Sequence, residues 1–137
     1  TMQAAILDIK LKHLDEYIAA RIKAADFYDK AFAGNDKIST PFRAANNTHV
    51  FHQYTLTLNG VDRDALHQYL ADKGVPAMIY YPVPCHKQKM FAALGGNEYQ
   101  LETTDWLTER VISLPIHTEL DEEQQSFIVN TVLSFIK

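Results

Sequence analysis

Residues 2–33, MQAAILDIKLKHLDEYIAARIKAADFYDKAFA, carry the longest regular pattern of apolar side chains in the chain. The apolar positions lie three or four residues apart, which is typical of one face of an α-helix. They are Leu7, Leu11, Leu14, Ile18, Ile22, Ala25, Tyr28 and Phe32. Gly34-Asn35 then supplies a helix end, so the pattern predicts one helix over about 2–33.

The length of this predicted helix has a consequence for its surroundings. At 1.5 Å per residue the helix is roughly 45–50 Å long, whereas a compact chain of this size is roughly 40 Å across. A straight helix would therefore extend beyond its own domain, and its apolar stripe would need cover from another domain or subunit. The alternative is a helix broken into two shorter pieces.

The rest of the chain alternates between strand and helix patterns. Residues 35–47 are typical of a loop. The elements predicted after it are a strand at 49–58, a helix from Asp62 to Gly74, a strand at 75–81, helices at about 88–94 and 103–111, an extended segment at 113–116 and a final helix from Asp121. This order favours an α+β fold, a single domain over 1–137 with a small, mostly antiparallel sheet, helices on one face and a long N-terminal helix.

The composition indicates an ordered globular domain. Hydrophobic residues make up 47% of the 137 residues, and the net charge is −4 with no basic stretch, so we expect no nucleic-acid partner. The single cysteine, Cys85, allows no internal disulfide. We find neither a membrane-spanning apolar run nor a signal-peptide pattern, and expect a cytoplasmic protein. The helical pattern starts at once after Thr1, which we interpret as a cut within a larger protein rather than a processed end.

Two patterns that contain histidine are candidate chemical sites. His49 and His52 would point to opposite faces of the predicted strand, so we expect no shared metal. Cys85 and His86 are adjacent, and adjacent side chains of an extended chain diverge, so they make a poor nucleophile–base pair. No glycine-rich phosphate loop follows a strand.

The stretch richest in chemical groups is YYPVPCHKQK at 80–89. Its prolines stiffen an extended segment, and its phenol, imidazole and ammonium groups could bind a phosphate or sugar hydroxyls. The alternative is a rigid turn whose tyrosines pack at the edge of a strand. The residues alone leave both interpretations open.

Four segments together resemble a known family. They are MQAAIL at 2–7, HVFHQY at 49–54, YYPVPCHKQ at 80–88 and SLPIH at 113–117. In this order, over almost the whole chain, they are similar to the C-terminal domain of DegT/StrS-type aminotransferases. The resemblance implies the small domain of a fold-type-I enzyme that uses pyridoxal phosphate (PLP) as cofactor. Such enzymes are usually homodimers and transfer an amino group, commonly from glutamate, to a nucleotide-linked keto-sugar.

The resemblance also assigns roles to residues of this chain. Tyr81 is expected to donate a hydrogen bond to the substrate or cofactor, Tyr80 to face the sugar nucleotide, and His86 to support the loop. The lysine that forms the Schiff base with PLP belongs to the large domain, and neither Lys87 nor Lys89 lies in a matching motif. We therefore expect no catalytic residue in this chain, and no PLP bound to this chain alone.

The resemblance leaves other functions open. Some relatives with this architecture use PLP for dehydration, and others sense a ligand without catalysis. A stand-alone binding module or a dimerisation domain of the same fold is a further alternative. The long first helix is expected to bridge the small and large domains of the parent protein, which would leave part of its apolar stripe exposed here.

Overall fold

The computed structural model describes residues 1–137, apart from the side chain of Asn97. The helices are α1 (Met2–Leu11), α2 (Leu14–Phe32), α3 (Arg63–Asp72), α4 (Glu102–Thr108) and α5 (Glu122–Phe135), and the strands are β1 (Ile38–Ser39), β2 (Tyr54–Leu58) and β3 (Val111–Leu114). Short 3-10 helices cover Cys85–Lys87, Lys89–Leu94 and Gly96–Glu98. The predicted α+β class is confirmed.

The prediction of one unbroken helix over 2–33 is wrong, and the broken-helix alternative holds. Lys12 and His13 separate α1 from α2. The amide of Lys12 donates to the carbonyl of Ile9 at 3.2 Å, and that of His13 to Lys10 at 3.0 Å. These bonds span three residues instead of four, so they tighten the last turn of α1 and end it.

The apolar side chains of α1 remain uncovered. None of the ten described residues of this helix is buried. Leu7 and Leu11 are exposed, and so is Leu14 at the start of α2. The expectation that part of the stripe faces solvent is therefore confirmed, and only the second half of the predicted stripe enters the core.

Within the described residues the sheet has three strands, and both pairings are antiparallel. β2 lies in the centre. The register pairs Ile38 of β1 with Leu58, and Tyr54 with Leu114 of β3. The short strand β1 lies inside the segment predicted as loop, because two residues are too few to produce an alternating pattern.

One face of the sheet packs against helices. Along β2 the side chains of Tyr54, Leu56 and Leu58 are buried, whereas Thr55 and Thr57 are half-buried on the other face. The buried side chains join a core formed with three helices. Its main helical members are Tyr28 and Phe32 of α2, Leu66 and Leu70 of α3, and Ile128 and Val132 of α5.

The strand predicted at 49–58 begins later, at Tyr54. Phe51 has a positive φ of 47°, which takes this residue out of extended conformation and interrupts the predicted strand. Arg21 of α2 holds this bend, because its guanidinium donates to the carbonyls of Phe51 and His52 at 2.9 and 3.3 Å. His49 and His52 therefore do not lie on a strand, and the geometric reason given against a shared metal does not apply.

Two other predicted boundaries differ. The strand predicted at 75–81 is reduced to a single bridge, in which Met78 and Ser113 exchange backbone hydrogen bonds of 2.9 and 2.7 Å. The helix predicted at 103–111 ends at Thr108, and β3 starts at Val111. The last helix was placed correctly: Asp121 and Gln124 form a reciprocal capping box at its start.

None of the described helices is both long and apolar enough to cross a lipid bilayer.

Candidate functional site

Tyr80 and Tyr81 follow directly on the bridge at Met78. Tyr80 is 39% exposed and Tyr81 is 72% exposed. Their rings meet edge to face with centroids 6.0 Å apart, and the peptide bond between them is cis. Neither phenol hydroxyl hydrogen-bonds to a described residue, so both are available to an outside partner.

A groove of about 270 Å³ lies beside Tyr80. Its polar lining comes from His52, Gln53, Tyr80, Ser113 and His117. Among its described lining residues there is no lysine or arginine. The groove therefore offers neutral donors and acceptors, which suit hydroxyl groups better than a phosphate.

The sheet brings these segments together. Because Tyr54 pairs with Leu114 in the β2–β3 ladder, the residues that precede β2 lie beside those that follow β3. His52 and His117 thus line the same groove from segments that are distant in sequence. The hydroxyl of Ser113 is engaged with that of Thr55 at 2.8 Å across the ladder.

When the ring of His117 is neutral, its hydrogen bonds determine which ring nitrogen carries the proton. Its Nδ1 accepts the backbone N–H of Glu119 at 3.3 Å, which leaves Nε2 to carry the proton as a donor. The Glu119 carboxylate lies 3.6 Å from the same Nδ1. A hydrogen bond from the Thr118 side chain, with a smaller contribution from His117, lowers the pKa of Glu119.

The third predicted site residue, His86, does not reach this groove. Its side chain is only 8% exposed and faces helix α4, with Nε2 3.5 Å from Oδ1 of Asp105. The ring lines a separate, mostly apolar pocket of about 220 Å³. The structure thus separates His86 from Tyr80 and keeps it inside the following 3-10 segment. The ring also makes no hydrogen bond to Cys85.

Sequence reasoning missed His52, Gln53 and His117 as lining residues of the groove. Both segments that contain them are among the family motifs of the sequence, HVFHQY and SLPIH. The missing information was the strand register, because only the pairing of β2 with β3 shows that these motifs meet. Among the described residues no cluster of three His, Cys, Asp or Glu side chains could hold a metal ion.

The loop before β2 is held against α2 by an arginine. Arg43 contacts Asp26 at 2.7 Å and Asp29 at 2.6 Å, and its guanidinium lies 4.6 Å from the centroid of Phe51. Asp29 also accepts the phenol proton of Tyr54 at 2.6 Å. These contacts fix the loop that delivers His52 and Gln53 to the groove.

The described residues form a small α+β domain with a groove beside Tyr80 that has no cationic lining. The family model of the DegT/DnrJ/EryC1/StrS aminotransferases matches residues 1–133. The chain therefore belongs to the DegT/DnrJ/EryC1/StrS aminotransferase family, as the resemblance implied. Members of this family depend on PLP.

Curated relatives match almost all of this chain. It is 41% identical over 131 residues to the UDP-N-acetyl-3-dehydro-alpha-D-glucosamine 3-aminotransferase of Acidithiobacillus ferrooxidans, covering 96% of this chain and 34% of that protein. It is 40% identical to the pleiotropic regulatory protein of Geobacillus stearothermophilus, covering 99% of this chain and 37% of that protein. The chain thus spans about a third of the length of the curated relatives it matches.

Solved structures of aminotransferases share the fold. A DegT/DnrJ/EryC1/StrS aminotransferase from Brucella abortus superposes with a TM-score of 0.84 at 31% identity, covering 97% of this chain and 35% of that one. DesV from S. venezuelae, solved in complex with a ketimine intermediate, superposes with a TM-score of 0.87 at 30% identity, covering 99% of this chain and 36% of that one.

The residues of this groove do not by themselves fit PLP. Its described lining contains neither a lysine for the Schiff base nor a cationic side chain for the cofactor phosphate. No catalytic step through PLP follows from the lining residues of this groove. What its own residues can do is bind and orient a hydroxylated ligand.

Proposed function

We propose that this chain is the C-terminal domain of a PLP-dependent transaminase that transfers an amino group, from glutamate, to a nucleotide-linked keto-sugar. The large PLP-binding domain would belong to the remainder of the parent protein. Relatives named for UDP-linked and dTDP-linked amino sugars support this substrate class. A homodimer and a cytoplasmic location are part of the same proposal.

The observation that carries the proposal is the groove beside Tyr80. Its lining presents hydrogen-bonding side chains without a cation, as expected for the sugar rather than the diphosphate of the substrate. The free hydroxyl of Tyr81 stands on the adjoining surface. We propose that Tyr81 and Tyr80 contact the substrate, and that His86 acts indirectly by holding their segment.

The test is an amination assay on the full-length protein loaded with PLP. Glutamate would be supplied with a panel of UDP-linked and dTDP-linked 3-keto and 4-keto sugars, and the amino sugar would be detected by mass spectrometry. We expect an amino sugar from at least one member of the panel, together with 2-oxoglutarate. If the keto-sugar were dehydrated, or left unchanged, the transaminase assignment would be wrong.

A second candidate is a ligand-binding protein without catalysis, either as a regulator or as a stand-alone binding or dimerisation module. It is favoured by the 40% identity to a protein named as a pleiotropic regulator. Nucleotide-sugar binding by calorimetry, in the absence of any turnover, would support this candidate over the first.

A further inference from the structure

Three side chains connect residues 80–88, which we call the tyrosine segment, to helix α4. His86 and Lys87 lie in the 3-10 helix that follows Pro84, and Asp105 lies in α4. Lys87 Nζ is 2.7 Å from Oδ1 of Asp105, and His86 Nε2 is 3.5 Å from the same oxygen. We call these three residues the Asp105 clamp.

The clamp is shielded from solvent on the His86 side, whereas the Lys87 side chain is 50% exposed. Both ring nitrogens of His86 and Oδ1 of Asp105 are inaccessible, and neither contact has the geometry of a directed hydrogen bond. The attraction is therefore electrostatic: the inaccessible Oδ1 of the Asp105 carboxylate faces an ammonium and an imidazole. Asp105→Asn would remove the negative charge that faces the Lys87 ammonium and the largely buried His86 ring, so the contact between the 3-10 helix and α4 would weaken.

The backbone of the same segment packs closely against Gly96. A Cβ atom on Gly96 would lie 2.6 Å from the carbonyl oxygen of His86. This close approach is possible because glycine has no side chain. The segment is thus attached to α4 by the Asp105 contacts, and its backbone packs closely against Gly96.

His86, the first residue of the clamp, lies five residues after Tyr81, and the backbone between them is stiff. Pro82 and Pro84 both have restricted φ angles, so the chain from Tyr81 to His86 has few conformations. A displacement at His86 would consequently move Tyr81 with it.

We propose that Asp105, acting through His86 and Lys87, is a positioning residue that sets where Tyr80 and Tyr81 stand beside the groove. Its effect on the substrate rests on the proposed function, but the anchoring of the segment does not. Two experiments separate these two parts.

The anchoring is tested by amide hydrogen exchange on this chain. The amides of Lys87 and Gln88 are protected by bonds of 2.9 and 3.1 Å to the carbonyls of Pro84 and Cys85. We expect Asp105→Asn to speed their exchange about fivefold or more, because the local opening becomes easier. Glu102→Gln, on an exposed residue of the same helix, is the matched control and should leave it unchanged. Equal exchange in wild type and Asp105→Asn would overturn the clamp.

The positioning role is tested in the full-length enzyme with PLP bound. We expect Asp105→Asn to raise KM for the keto-sugar that the wild type uses best by about threefold to tenfold, with the glutamate half-reaction unchanged. Lys87→Gln should act in the same direction but less, and Lys89→Gln should have no effect. An unchanged KM, or equal losses in both half-reactions, would overturn the positioning role.

A wild type without transaminase activity would remove the proposed function but not the clamp. Hydrogen exchange alone would then decide whether Asp105 anchors the segment.

Discussion

Tyr28 donates its phenol proton to the carbonyl oxygen of Pro115 at 2.9 Å, joining α2 to a segment 87 residues later. The ring of Tyr28 is fully buried, and Pro115 lines the groove beside Tyr80. The first long helix thus fixes one wall of the candidate site from inside the core.

Replacing this tyrosine should weaken the domain. Tyr28→Phe keeps the ring but leaves the Pro115 carbonyl without its partner, so we expect the free energy of unfolding to fall by about 1–2 kcal/mol. Urea unfolding followed by circular dichroism measures this. Tyr17→Phe, at an exposed tyrosine at the start of the same helix, is the matched control. A loss below about 0.3 kcal/mol would show that water or another donor replaces the bond.

Stability should fall at alkaline pH. Burial raises the pKa of Tyr28, and burial together with the hydrogen bond to Asp29 raises the pKa of Tyr54. The unfolded chain therefore loses these protons from about pH 10, while the folded chain still holds them. The contribution is complete below that pH and is lost as the pH rises above it. Unfolding midpoints between pH 8 and 11 would test this, and Tyr54→Phe should flatten the decline.

The Tyr81 hydroxyl should matter for substrate use. In the full-length enzyme we expect Tyr81→Phe to cost about 1–3 kcal/mol in kcat/KM for the keto-sugar, the usual effect of losing a hydrogen bond that is used in the reaction. Tyr80→Ala should give a comparable loss. Tyr99→Phe, at another exposed tyrosine outside the lining of the Tyr80 groove, is the control. Unchanged kcat/KM in both site variants would remove the tyrosines from the site.

Gly96 should tolerate no side chain. The Cβ of Gly96→Ala would approach the carbonyl oxygens of His86 and Phe91 at 2.6 and 2.9 Å, and both are backbone atoms that cannot move independently. We expect a loss of about 1–3 kcal/mol in stability. Gly60→Asn is the control, because nothing lies within 4 Å of its Cβ and asparagine accepts its positive φ. Thermal melts of both variants would show the difference.

The uncovered stripe of α1 should promote association of this chain. Exposed apolar surface favours contacts between molecules, so sedimentation at increasing concentration should reveal oligomers. Leu7→Lys with Leu11→Lys should reduce association without lowering stability, because neither side chain is buried. Leu70→Ala, in the core, should instead lower the free energy of unfolding by about 2–5 kcal/mol. A monomeric wild type would contradict this expectation.

The sequence predicted local structure most reliably where a residue type has one common structural role, such as aspartate at the start of a helix. Asp62 and Asp121 accept backbone amides at the starts of α3 and α5, as their positions indicated. The patterns were least reliable where a contact from elsewhere decides the local conformation. The start of β2 is an example: alternating residues favour a strand from His49, but Arg21 holds the preceding carbonyls in a bend.

The amino-acid sequence by itself determined the fold class, the helix caps and the family of this protein, because periodicity, capping residues and short motifs depend on neighbours along the chain. The tertiary structure decided which motifs form a site. The pairing of β2 with β3 brings His52 and His117 to the groove of Tyr80, and burial against α4 turns His86 away from it. These outcomes depend on strand register and on the partners of buried polar groups, and both are set only when distant segments pack together.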